Sequence, residues 1–184
     1  VGGAGVVQVA LPDTSFMAGD TLDVPLNIWG TTGLDVTSAS FDLVFDSLVT
    51  PVDVIIDEST LPGTDWTVDY SVEGDTASVT LTGGAPLEGS GVLCKLGFAL
   101  SLGSPGAVSP LNFEEFVFND GSPTAITTDG SITLLCFTPD APTLVAPPNG
   151  SWNGPRPEFV WEFSDTNPGD YQTAFQIQVA LPVF

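Results

Sequence analysis

One side-chain type that carries much of enzyme chemistry is missing here: the sequence contains no histidine. No Ser-His or Cys-His pair can form, and no side chain with an ordinary pKa near neutrality is present to act as a general base. Carboxylates are plentiful. The chain has 23 Asp and Glu against only Lys95 and Arg156, a formal net charge of −21. Paired acids can hydrolyse glycosides, but in so acidic a chain pairs arise everywhere and nothing in the pattern marks one acid as buried. No catalytic residue is assigned, and an enzymatic role is not expected.

Oxygen-rich turns offer a second kind of chemistry, binding of calcium, a hard cation that prefers oxygen ligands. "SDTNPGD" places Asp165, Asn167 and Asp170 around Gly169 and is the candidate metal site. "FNDG" offers Asn119 and Asp120, and "TTDG" offers Asp129. None of these fits the twelve-residue EF-hand loop. The competing reading is turn chemistry, in which Asp and Asn side chains hydrogen-bond their own backbone. Calcium is the one cofactor considered.

Cys94 and Cys136 are the two thiols. They read either as small core residues or as a disulfide, which would stabilise by about 4 kcal/mol through the loop it closes. The absence of His and of a CxxC pair argues against zinc. Asn149-Gly150-Ser151 is a glycosylation sequon. The four tryptophans, Trp29, Trp66, Trp152 and Trp161, raise the possibility of stacking on sugars. Trp161 alternates with Phe159 and Phe163 and reads as core, which leaves Trp66 and Trp152 as the candidates for exposed rings.

The charge also restricts partners. With no basic surface to displace counterions, nucleic acid is excluded, and so is an anionic membrane. No apolar run is long enough to span a bilayer. A chain that starts at Val1, uses almost no Lys, and is rich in Gly, Thr and Ser reads as an exported protein, extracellular or on the cell surface, from which a leading segment was removed. The acids then form a solvated coat.

The elements that must carry these residues are strands. Gly and Pro recur about every ten residues, short alternating runs lie between them, and no amphipathic helix emerges, so the fold class is an all-β sandwich. "TLDVPLNIW" puts Leu22, Val24, Leu26 and Ile28 on one face, and Pro25 requires an edge or a bulge. "SFDLVFD" alternates Phe41, Leu43 and Phe45 against Asp42, Val44 and Asp46. "WTVDYSV" and "TASVTLT" flank Glu73-Gly74-Asp75 as a hairpin. In "GVLCKLGFALSL" strict alternation sends Val92, Cys94, Leu96, Phe98 and Leu100 inward and Lys95 outward. "TPDAPTLVAPPNG" is a semi-rigid, Pro-rich linker. It also opens a new module, in which strands are expected near 143–146, 158–163 and 174–181. The division is a flexible segment 1–5, a sandwich 6–137, a linker and module start 138–157, and further strands 158–184.

Four stretches in order carry a family resemblance: "FMAGDTLDVPLNI", "SASFDLVFDSLV", "GVLCKLGFAL" and "FEEFVFNDG" followed by "TTDGSITL". Over about residues 6–137 the chain resembles a cohesin domain. That resemblance implies a jelly-roll sandwich of about nine strands, without a catalytic site, that binds partner modules such as dockerins. The remainder, "APTLVAPPNG" with "PEFVWEFSDTNPGDYQTAFQIQV", resembles the start of a fibronectin type III or immunoglobulin-like module of a bacterial or archaeal surface protein, and three strands make it a partial second sandwich.

The last alternating run places Phe175, Ile177, Val179 and Leu181 on one face of a candidate assembly strand, and its "IQVALP" nearly repeats "VQVALP" at 7–12. An unpaired apolar strand adds readily to another sheet. The main expectation is therefore non-catalytic extracellular protein–protein association. One alternative is a filament or sheet whose copies join by complementation with that terminal strand. The other is a carbohydrate-binding module.

Overall fold

The computed structural model describes residues 5–17, 21–101, 106–135, 141–147 and 158–164. The chain divides into two compact units, Val1–Cys136 and Phe137–Phe184. The strands of the first unit are β1 (Val6–Ala10), β2 (Asp13–Met17), β3 (Thr21–Trp29), β4 (Ser38–Val44), β5 (Val49–Ile55), β6 (Trp66–Glu73), β7 (Thr76–Gly83), β8 (Ser90–Leu100), β9 (Val108–Phe118), β10 (Thr124–Thr128) and β11 (Gly130–Leu135). A single 3-10 turn, Gly63–Asp65, is the only helical feature among the described residues, and none of them forms a helix long and apolar enough to cross a membrane.

Two sheets build the sandwich. One runs β10-β1-β3-β8-β5 and the other β2-β11-β9-β4-β7-β6. Two strands are shared between them. β1 passes through Leu11-Pro12 into β2, and β10 passes through Asp129 into β11, so each bent strand serves both sheets. Counted once each, they leave nine strands, the number that the cohesin resemblance implies. The two bent strands run parallel, pairing Val6 with Thr124 and Asp13 with Ser131. Bonds continue through the bend, from Leu11 N to Thr128 O (3.1 Å) and from Ser131 N to Pro12 O (3.3 Å). Gly130 lies at this corner because only a residue without a side chain fits. A Cβ there would sit 2.5 Å from the Pro12 carbonyl oxygen and 2.7 Å from Leu11 Cβ.

Alternation makes the core. β3 buries Leu22, Val24, Leu26 and Ile28, as its sequence predicts. Pro25 sits where β1 no longer pairs, since the β1 partners reach only Asn27, and a bulge follows at Leu26/Asn27. Both provisions demanded by that proline are met. The same bulge corrects the reading of β8. Leu93 is the extra residue opposite β3, so the phase slips: Leu93 is fully buried and Val92 only half-buried. A second bulge, in β9 opposite Asp42/Leu43, lets Phe113 on one side of it and Phe116 and Phe118 on the other all face inward. Phe41 stacks on Phe116 with centroids 5.2 Å apart and meets Phe113 edge-on at 5.9 Å. The β6–β7 hairpin pairs Glu73 with Thr76 across Gly74-Asp75, and Gly74 takes the positive φ (63°) of a glycine-first two-residue loop.

In the second unit, β12 (Thr143–Ala146) pairs antiparallel with β13 (Val160–Glu162). These are the first two of the three strands expected near 143–146, 158–163 and 174–181, and β12 lies within the Pro-rich stretch itself. Trp161 and Phe163 are half-buried and Phe159 is exposed. The third expected strand, 174–181, lies outside the described residues, as does Trp152.

Candidate protein-binding face

The outer faces of the two sheets differ in what lies on them. On the five-stranded sheet the β5–β6 connection runs beside β8, past the end of β5. Leu61 N donates to Val92 O at 2.6 Å, and the Leu61 side chain approaches Gly91. Lys95 on β8 holds this loop through Asp57, with Nζ to Oδ2 at 2.7 Å. Asp57 also accepts from Ser59 N (2.8 Å) and Ser59 Oγ (2.5 Å). The Lys95 ammonium and the Ser59 donors hold the Asp57 carboxyl down at about 2.

On the six-stranded sheet, no other described element covers the outer side of β9-β4-β7-β6. Strand register lays its side chains out in rows. Val117, Ser40, Thr80 and Asp69 form one row, and Glu115, Asp42, Ser78 and Ser71 form the next. A third row runs Asn112, Val44, Thr76 and Glu73. Ser40, Asp42, Ser78, Thr80 and Glu115 line a shallow depression at its centre. The face is thus built of short hydroxyls and carboxylates. The bulge in β9 turns both Glu114 and Glu115 to solvent beside Asp42, and like charges directly opposed across strands cost stability. The only basic side chain among the described residues, Lys95, belongs to the other sheet. The face carries carboxylates and hydroxyls but no cationic side chain among the described residues, so a partner that matches it brings guanidinium, ammonium or amide groups.

The residues singled out from the sequence fall in several places. Asp165, Asn167, Asp170, Asn149, Cys136 and the strand Phe175, Ile177, Val179, Leu181 lie outside the described residues. Among the described residues no cluster of three acids or thiols could hold a metal. Asn119 is occupied structurally. Its Oδ1 accepts from Thr37 N (3.0 Å) and Ser38 N (3.2 Å), and its Nδ2 donates to Ser122 O (2.9 Å) and Asp35 O (3.2 Å). Its φ of 46° fits an asparagine at a tight turn. Asp129 Oδ1 accepts from Phe113 N at 2.9 Å. Both side chains are engaged mainly by backbone N–H groups distant in the chain, Thr37 and Ser38 for Asn119 and Phe113 for Asp129. Cys94 is fully buried, and burial pushes the pKa of its thiol up.

The tryptophans reverse the expected order. Trp66 is buried, at 6% exposure, and its Nε1 donates to Ala85 O at 3.2 Å. Trp29 is 43% exposed. The signal was in the alternation of β3, where Trp29 shares parity with the outward Asp23, Pro25 and Asn27.

A two-sheet jelly roll with bent, shared strands and one open polar face defines a β-sandwich interaction module. The cohesin domain model matches residues 7–134, and the chain belongs to the cohesin family, whose domains are non-catalytic protein-binding modules. Solved structures share the fold. The third ScaC cohesin of Acetivibrio cellulolyticus, solved in complex with the ScaB dockerin, is 22% identical with a TM-score of 0.61, covering 70% of this chain and 99% of its own. The cohesin CaCohA2 of Clostridium acetobutylicum is 21% identical with a TM-score of 0.60, covering 71% and 91%. A non-cellulosomal cohesin of the archaeon Archaeoglobus fulgidus is 18% identical with a TM-score of 0.59, covering 70% and 91%. A search of curated proteins finds no match.

Proposed function

We propose that this chain acts outside the cell as a receptor module that binds a partner protein of the dockerin class through the outer face of β9-β4-β7-β6. One observation carries the reading: the outer side of β9-β4-β7-β6 is a continuous four-strand polar surface on which no other described element lies, whereas on the opposite sheet the β5–β6 connection is tied to β8 through Lys95–Asp57 and Leu61–Val92. Membership of the cohesin family supports it. The acceptor-rich surface selects a partner with a cationic, donor-bearing face. Complementary charge speeds encounter and fixes orientation more than it adds affinity.

The test is a binding titration of the full chain against a panel of dockerin domains. At least one is expected to bind, and Asp42→Lys with Glu115→Lys should weaken it by about 2 kcal/mol or more, roughly thirtyfold. Binding that ignores both substitutions places the contact elsewhere.

A second reading, carbohydrate binding, draws on Trp29. It ends the row Ile126–Gln8–Trp29 on the outer side of β10-β1-β3, with the exposed Val6 in the adjoining row, and none of these four residues is charged. Quenching or a shift of tryptophan emission by neutral glucans, lost in Trp29→Ala, supports it. Unchanged emission across such polysaccharides removes it.

A further inference from the structure

The strands β5 and β6 end their sheets on the same side of the sandwich, and they are finished differently. β5 carries Pro51 and a register shift between Pro51 and Asp53. Proline and bulges blunt a sheet edge against added strands. β6 keeps unbroken register with β7 from Trp66 to Glu73, with no proline, no bulge and no lysine. Among the described residues nothing pairs with its other side.

The two rows of β6 side chains are also unfinished. The inward row begins at buried Trp66 and half-buried Val68, then comes out to Tyr70 and Val72, 41% and 44% exposed. The Tyr70 hydroxyl donates to the Val52 carbonyl of β5, which leaves its ring lying in the gap between the two edges. The outward row carries Asp69 and Glu73, and the single ion pair among the described residues, Lys95–Asp57, involves neither.

We propose that the free edge of β6 accepts an extended segment of a partner protein as an added strand of the six-stranded sheet, apolar and cationic at alternate positions. Backbone bonding supplies the attachment and alternate side chains the selection. The apolar positions cover Tyr70 and Val72, and the cationic ones meet Asp69 and Glu73. A second copy of this chain is the poorer occupant. Edge-to-edge pairing would bring those carboxylates together on chains of net charge −21. The edge shares Asp69 and Glu73 with the face proposed above, but its attachment is backbone bonding along β6, so slowed amide exchange at 67–73 distinguishes it from contact through Asp42 and Glu115 and the two proposals fail separately.

The test uses the full isotopically labelled chain and an eight-residue capped peptide alternating lysine with valine and threonine, matched in length to β6. The expected result is amide shifts concentrated at 67–73, slowed exchange of those amides, and about tenfold weaker binding of the same peptide with glutamate for lysine. Ser71→Pro should abolish binding. Should that variant misfold, Asp69→Asn with Glu73→Gln retains the fold and should weaken binding several-fold. Shifts spread over Asp42 and Glu115 with unchanged exchange in β6, no binding, or dimerisation of the chain through β6 would each overturn the proposal.

Discussion

Replacing Gly83 with alanine should dislodge the start of β6. Gly83 ends β7 directly opposite Trp66, and the indole lies flat over it. A Cβ at position 83 would stand 2.0 Å from Nε1, 2.2 Å from Cδ1 and 2.3 Å from Cε2 of that ring. Ordinary contact needs about 3.5 Å or more, so the ring must retreat by about 1.5 Å. It has no room to do so inside a close-packed core where it is 6% exposed. Full expulsion would return about 150–250 Å² of aromatic surface to water, or about 4–6 kcal/mol at about 25 cal/mol per Å². The bond from Nε1 to Ala85 O would add about 1 kcal/mol to the loss. Partial displacement is the cheaper outcome, so Gly83→Ala should cost about 2–4 kcal/mol and lower Tm by about 10 °C. The assay is a double-mutant cycle with Trp66→Ala, read by urea denaturation. Trp66→Ala alone should cost about 3–5 kcal/mol. In that background the added methyl meets no ring, and Gly83→Ala should be neutral within about 0.5 kcal/mol or mildly stabilising. An equal cost in both backgrounds would refute the reasoning, because the clash would then not be with Trp66.

Further expectations follow from single contacts. Asn119→Ala removes the acceptor for two backbone N–H groups and should cost about 2–4 kcal/mol in chemical denaturation, with Asn119→Asp recovering part of it. Ser109 Oγ is buried without a hydrogen-bond partner among the described residues, so Ser109→Ala should leave Tm unchanged or raise it. Lys95→Met should raise the Asp57 pKa from about 2 toward its ordinary 3.8 in an NMR titration. Because the folded pKa is depressed, the stability linked to Asp57 is present above about pH 4 and lost as pH falls toward 2, and the variant, which keeps the Ser59 donors, should lose part of that dependence. A net charge of −21 repels itself, so Tm at neutral pH should rise between low and moderate salt as screening grows; a flat response would contradict this.

How much of this was legible depended on whether a feature is local. The faces of β3 and β4 and the Gly74-Asp75 turn follow from period-two alternation and turn chemistry. Pro25 announced the bulge and the missing neighbour beside it. What alternation could not show was where the phase slips. One extra residue at Leu93, and another in the Glu114-Glu115 pair of β9, reverse the facing of everything beyond them. Strands that serve both sheets look in sequence like single runs broken by Pro12 or Asp129, and their parallel pairing depends on partners more than a hundred residues away. The binding face was not legible because its residues are ordinary serines, threonines and acids that become a surface only when β9, β4, β7 and β6 are set side by side.

The central claim is that the six-stranded sheet meets the partner with its uncovered side. Amide shift mapping of the labelled chain on titration with a dockerin domain that binds it tests this most directly. Shifts should concentrate on Ser40, Asp42, Ser78, Thr80 and Glu115. Shifts confined to the opposite sheet, around Lys95, Leu61 and Trp29, would contradict the account.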